Sequence, residues 1–491
     1  MTRPERIDYF KLKHKKTQKE AMRIPSLDET VGKVYSRLRT KFPPLIKLGD
    51  SLEQGEVWIR EEELEDHMHI LGTTGEGKSK FIEYLIRENI KRGQGVCFLD
   101  PTDRADTAYN ILRWCCAQGF QKVCLVDPHT IHRYGKLTAI QPFNYRYESA
   151  TVANLEDTIK TVFQVKDTTE TPRIQYYLPA MLHVLWKAGL TLHEAVYFTK
   201  YKEFMAHRRQ ILSCSPAMDL NRLTIDEVFE TYPRFNNEFA SSVRRLAPFF
   251  DSELDLMLST KQAVDFPKMI AEGWVILVNL YAGLGFRQVH SRMLGTVVIN
   301  EIIFALDRLR QKGWEGIHYL YIDEAGQYAN RNLAQLLAYK RKSGLRVTVA
   351  HQYFSLFEDR YVLDAVKNLC KHKVMFNTPN PTDRLEMIKL LGYGGQIPRL
   401  EAEYANKDIP KQYAVLKKGK DSPVRIRIPD VKTPDPKNFE DYKKSLLNNP
   451  WNHTPAQAKL EIDNRLKEPA PRPRPNNKEL PPKRQKSVFE E

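Results

Sequence analysis

The sequence predicts an α/β fold: a mostly parallel sheet covered by helices and interrupted by an all-helical insertion. Three observations carry this reading. Short apolar runs alternate with amphipathic stretches over about 46–147 and again over 263–432. Between them, 148–262 shows helical spacing and no convincing alternating strand. Several of the apolar runs end in glycine or carboxylate residues, at the strand ends where parallel sheets gather their ligands.

Taken in order, residues 1–45 form a basic arm. Through Arg39, eleven Lys or Arg face five Asp or Glu, and Pro43 and Pro44 close the arm. His67 to Leu71 is a strand running into a glycine loop. Ser79 to Ile90 is a helix with Phe81, Ile82, Leu85 and Ile86 on one side and Gly93 at the usual stop position. Val96 to Leu99 is a second strand, ending in Asp100-Pro101. A helix over 105–118 and a strand from Lys122 to Val126 come next.

In the insertion, Leu155, Ile159, Val162 and Phe163 follow helical spacing. Thr191 with Glu194, and Thr224 with Glu227, match the pattern in which two side chains cap each other's backbone amides at a helix start. The sheet then resumes with Val275 to Leu280, a long helix from Met293 to Leu309, and His318 to Ile322 ending in Asp323-Glu324. Arg346 to Ala350 ends in His351-Gln352, and Lys373 to Asn377 is a further strand. Tyr413 to Lys417 and Val424 to Ile428 read as an edge hairpin. Residues 433–491 read as a Pro/Lys-rich, largely disordered tail, with EPAPRPRP and PPKRQK as its clearest segments.

Composition narrows the function. The 491 residues carry a net charge of +15, which favours a polyanionic partner, nucleic acid first. With 42% hydrophobic residues, wholesale disorder is excluded. The six cysteines show neither a CxxC pair nor metal-ligand spacing, as expected of reduced core thiols. His67 and His69 resemble a metal pair but fit better as the buried flank of a strand. The start has no apolar leader, and Trp274 to Phe286 is too short to span a bilayer. The expectation is a cytoplasmic protein with no transmembrane segment, peripheral to a membrane only through partners.

The most informative segment is Gly72-Thr73-Thr74-Gly75-Glu76-Gly77-Lys78-Ser79, a match to GxxxxGK[ST] between a strand and a helix. Glycines let the backbone wrap so that successive amides point at phosphate oxygens, and the helix start adds its positive end. Lys78 would reach the β- and γ-phosphates of ATP, and the Ser79 hydroxyl would ligate Mg²⁺. Asp323, closing an apolar strand, suits the metal's second anchor, and Glu324 is placed to activate water. Gln352, closing the next strand, would sense the γ-phosphate or orient water. Arg341 would reach a neighbouring subunit's site as an arginine finger.

GTTGEGKS, LDPTDR, GWVILVNLYAGLG, YLYIDEAGQ and RKSGLRVTVAHQ, in this order, resemble the HerA–FtsK superfamily of P-loop ATPases. Within it, the chain is most similar to the soluble part of type IV coupling proteins, the motors of conjugative DNA transfer. The resemblance covers roughly 46–430. It implies a RecA-like core in two parts (46–147 and 263–432) around an all-α insertion domain (148–262). It also implies a homo-hexameric ring, and ATP hydrolysis that moves DNA through a central channel; a channel for a polyanion needs cations that contact the phosphate backbone without reading bases. Relaxase or secretion-channel proteins would be partners. Lys78 and Ser79 match the Walker A positions, Asp323 and Glu324 the Walker B positions, and Gln352 and Arg341 the glutamine and arginine positions. Coupling proteins typically begin with transmembrane helices, which this chain does not show. Glu76 stands where serine or alanine is usual, and Thr102-Asp103-Arg104 where Lys-Gly-Asp is frequent. Two other functions fit the same motifs: a type IV secretion-type ATPase acting on protein or pilus assembly, and a nucleotide-gated DNA or relaxase adaptor without processive movement.

Overall fold

A computed structural model of the chain describes residues 45–143, 148–162, 172–199, 201–230, 246, 249–250, 252–328, 331–339, 344–357, 359–392 and 395–467. In chain order its strands are β1 (Leu45–Ser51), β2 (Gly55–Arg60), β3 (Met68–Leu71), β4 (Gly95–Asp100), β5 (Val123–Val126), β6 (Leu137–Thr138), β7 (Val275–Asn279), β8 (His318–Ile322), β9 (Leu345–His351), β10 (His372–Met375), β11 (Tyr413–Lys417), β12 (Val424–Arg427) and β13 (Asn452–His453). Eleven of them form one sheet in the order β2-β1-β12-β11-β10-β3-β9-β8-β4-β7-β5. From β10 to β5 all neighbours run parallel, and from β10 to β2 all run antiparallel.

The strands in the middle are buried on both faces, so their sequences read as continuous apolar runs. The two-residue period sorts them between two cores. Cys97, Leu99, Ile276, Val278, Leu320 and Ile322 face one core with the helix Gln288–Gln311. Val96, Phe98, Val275, Leu277, Tyr319 and Tyr321 face the other, against helices Lys78–Lys91 and Asp106–Ala117. Among the described residues Gln288–Gln311 is the one helix long and apolar enough, by length and composition, to cross a membrane. Of its most apolar window, 78% is buried inside this core.

The described part of the region expected to be an insertion is mainly helical, with helices Glu148–Val162, Pro172–Lys187, Tyr201–Leu212, Leu220–Glu230 and Glu253–Ser259. Its apolar side chains, among them Leu155, Ile159, Leu182 and Leu185, join the same core as β4 and β8. A buried chain of amides reinforces the junction: Asn332 Nδ2 donates to Asn300 Oδ1 at 3.1 Å, and Asn300 Nδ2 to Thr158 Oγ1 at 2.9 Å. Thr224 does not start a helix as expected. It lies one turn inside Leu220–Glu230, with its hydroxyl donating to Leu220 O, because the helix begins four residues earlier.

Three features depart from the sequence reading. β1 and β2 form a hairpin beyond β12, so β11–β12 lies inside the sheet and is not its edge. The runs LIKLGDS and GEVWIR mix charges with few apolar residues, and β2 buries only Val57 and Ile59, so their strand signal is weak. The C-terminal tail also begins later than 433. Helices Phe439–Leu446 and Pro455–Arg465 are ordered parts of the fold, and 468–491 lie outside the described residues. Phe439, Tyr442 and Leu446 pack into the second core, and Tyr442 donates from its hydroxyl to Phe120 O at 2.6 Å. Between those two helices, β13 pairs with β6. Averaged proline content hid these sparse anchors.

Arg465 closes this arrangement. Its buried guanidinium donates to Thr191 Oγ1 at 2.6 Å, to Glu194 Oε1 at 2.8 Å and to Ser259 O at 2.5 Å. Glu194 also accepts from the Thr191 backbone amide at 2.6 Å, half of the expected mutual cap. Arg465→Ala strands the Glu194 carboxylate in the core and should cost about 3–5 kcal/mol. Urea denaturation checks this, with the midpoint expected well below that of the parent chain.

Candidate functional site: a phosphate loop facing an acid pair

β3 delivers the chain to the loop, and its two neighbours hold the loop's first residues. Gly72 N donates to His351 O at the end of β9, and Thr73 N to Asn377 O just past β10, both at 3.2 Å. A Cβ on Gly72 would stand 2.5 Å from Phe376 Cβ, so a larger residue does not fit. Gly75 and Gly77 turn with φ of 86° and 115°, which L side chains rarely adopt. Gly77 is the N-cap of helix Lys78–Lys91. The first intrahelical bond runs from Phe81 N to Gly77 O, so the amides before it project from the helix end.

The acid pair lies across β9 from this loop. Lys78 is 3% exposed, and its Nζ lies 2.8 Å from Asp323 Oδ1 and 2.6 Å from Glu324 Oε1. Burial works against the ammonium charge, but the two carboxylates outweigh it and hold the Lys78 pKa above its usual value. Glu324 adopts φ of 46°, a left-handed conformation costing about 1–3 kcal/mol for a non-glycine residue. That turn lets its backbone amide donate to Asp323 Oδ1 at 2.9 Å. Gln352 Nε2 donates to Glu324 Oε1, also at 2.9 Å. Asp323 Oδ2 is buried with no hydrogen-bond partner among the described residues. A bare anionic oxygen beside a lysine and an amide-lined loop suits a hard divalent cation such as Mg²⁺. Ser79, at the helix start, supplies a hydroxyl on the same loop.

Lys78, Ser79, Asp323, Glu324 and Gln352 thus gather at one end of the parallel sheet, with Gly72, Thr73, Thr74, Gly75, Glu76 and Gly77 forming the loop. Arg341 lies outside the described residues. His67 and His69 hold no metal set; among the described residues no group of three or more potential ligands occurs.

Two neighbours of the site escaped sequence reasoning. Asp100 ends β4 beside the acid strand and accepts hydrogen bonds from Thr102 N at 3.0 Å and Ala108 N at 2.8 Å. Burial pushes its pKa up to about 6, and the charge of Asp323 adds to the rise. The apolar strand ending in Asp100-Pro101 was its only signal. The second is a buried imidazole pair beneath the loop, His69 and His351, with Nε2 atoms 2.7 Å apart. His351 Nδ1 lies 3.1 Å from Tyr353 O, a pure acceptor, so that nitrogen carries the proton. His351 Nε2 is then the acceptor, and His69 Nε2 donates to it. Burial, then the charge of Lys78, lowers the His351 pKa to about 3, which keeps the ring neutral next to Gln352. His69 and His351 are 282 residues apart, a pairing that spacing cannot show.

Residues 46–238 match the family model described as Helicase HerA, central domain. VirB4 of Thermoanaerobacter pseudethanolicus superposes with a TM-score of 0.52 at 16% identity, covering 79% of this chain and 96% of that one. The plasmid coupling protein TrwB in complex with ADP and Mg²⁺ superposes with a TM-score of 0.57 at 15% identity, covering 83% and 94%. TrwB with the non-hydrolysable GTP analogue GDPNP gives 0.57 at 16% identity, covering 82% and 94%. No curated protein sequence matches the chain. At these identities the likeness is one of fold: a RecA-like P-loop NTPase core with mostly parallel sheet and many helices. The expected resemblance to the HerA–FtsK type is borne out over 46–238 by the family model, and the resemblance to coupling proteins as a likeness of fold.

Proposed function

We propose that this chain, of HerA–FtsK-type P-loop fold, is an ATPase that assembles into a hexameric ring and moves DNA. The observation that carries the reading is Lys78, buried and paired to both Asp323 and Glu324 at the mouth of the phosphate loop. TrwB, of the same fold, has been captured with ADP and Mg²⁺. Here the loop amides and Lys78 would bind the phosphates, and Ser79 and Asp323 would hold Mg²⁺. The bound ion would draw negative charge off the phosphate oxygens. Glu324 would accept the proton of the attacking water, and Gln352, bonded to that carboxylate, fixes its orientation. Arg341 is assigned to donation in trans from the order of the motifs alone.

The net charge of +15 favours a phosphate backbone as the moved cargo. ATP turnover by the full chain should rise several-fold on adding duplex or single-stranded DNA, and translocation should displace the third strand of a triplex. The second reading, a secretion-type ATPase acting on protein, is favoured by the likeness to VirB4 and predicts turnover indifferent to DNA. DNA binding without third-strand displacement would instead make the chain a nucleotide-gated adaptor of DNA or a relaxase.

A further inference from the structure

The imidazole pair beneath the phosphate loop joins the two strands that frame it. His69 lies on β3, whose end opens into the loop, and His351 ends β9, immediately before Gln352. Their ring planes differ by 12° and their centroids are 4.9 Å apart, so the 2.7 Å contact between the Nε2 atoms runs end-on, in the plane of both rings. Two bare nitrogens would repel at that distance. With the His351 proton on Nδ1, the bond needs His69 protonated on Nε2. That leaves His69 Nδ1 buried, with no hydrogen-bond partner among the described residues. Burial, then the charge of Lys373, holds the His69 pKa well below its usual value, so this ring is neutral like that of His351.

Gln352 is held on both sides by this arrangement. The peptide before it is fixed by Gly72, whose amide donates to His351 O at 3.2 Å. Beyond it, the His351 ring reaches over Gln352 to Tyr353 O at 3.1 Å. Phe354 and Phe357 close around the same ring, with centroids 5.1 Å and 5.0 Å away. The backbone of Gln352 cannot turn unless the His351 ring moves, and His69 pins that ring. From this backbone the Gln352 side chain donates to Glu324 Oε1 at 2.9 Å. Two apolar side chains would serve packing alone, without leaving a bare nitrogen in the interior. What the imidazoles add is a fixed direction.

We infer that His69 and His351 are positioning residues that hold Gln352 on the Glu324 carboxylate through one imidazole-to-imidazole hydrogen bond. This rests on the proposed hydrolytic roles of Glu324 and Gln352. The test is steady-state ATP turnover by the full chain, with folding checked by urea denaturation. His69→Phe and His69→Asn both remove the bond, the first for want of a donor and the second because it is too short to reach. Each should lower kcat about tenfold and change KM by less than about twofold, as a misdirected catalytic group does. His69→Gln restores a donor of similar reach and should recover most of kcat. In a Gln352→Ala background, His69→Phe should have no further effect, because the pair acts through Gln352. Unchanged kcat in the two variants lacking the bond overturns the inference. So does a His69→Gln protein no faster than His69→Phe, or a double variant in which the two losses multiply. Failure of both His69→Phe and His69→Asn to fold would make the pair a structural brace and overturn it as well. The underlying reading fails separately: Gln352→Ala alone at the parent rate would leave Gln352 without a hydrolytic role, and the pair with nothing to position.

Discussion

Lys78→Ala should abolish nucleotide turnover and lower nucleotide affinity by at least about a hundredfold, since a charged hydrogen-bonding partner of the phosphates is lost. The expectation rests on burial. Lys78 is the cation placed between Asp323 and Glu324, and its Nζ is within hydrogen-bond reach of both. Removing it takes away the phosphate's counter-charge and leaves two carboxylates facing each other in the interior. Breaking a buried ion pair from one side costs about 3–5 kcal/mol, so the variant should also melt earlier. Turnover and thermal melting are therefore measured on the same preparation. A folded Lys78→Ala protein with unchanged turnover would remove the proposed site.

Glu324→Gln should separate binding from chemistry. The substitution keeps the shape and an oxygen for Lys78 but cannot accept a proton from water. Nucleotide affinity should be retained while turnover falls by about 10²–10⁴-fold, the usual contribution of a general base. Single-turnover hydrolysis with binding measured in parallel reads both quantities. Turnover at the wild-type rate would assign the base role to another group.

Much of this site was legible because its signals are local. Eight consecutive residues carry the phosphate loop, and each of its glycines serves a backbone need that the folded chain displays. Asp323-Glu324 and Gln352 could be read from the ends of apolar strands. What could not be read depends on contacts between distant segments. The pairing of His69 with His351 spans 282 residues, and Ile428 packs on Gly77 only after the whole sheet is assembled. In the fold, the buried strands announced themselves as apolar runs. The β1–β2 hairpin did not, because it needs few apolar residues. The ordered C-terminal helices attach through Phe439, Tyr442, Leu446 and Arg465, anchors too sparse to stand out against a proline-rich background.

The contact between the lysine and its two acids also governs how the site can be loaded. The ammonium is already neutralised by its own chain, so an incoming anion gains it only by exchange. That exchange leaves two carboxylates without a counter-ion unless a divalent metal arrives with the anion. Under the proposed function, charge balance would tie the two arrivals into one event and would make the metal complex, not the free triphosphate, the species this cradle accepts.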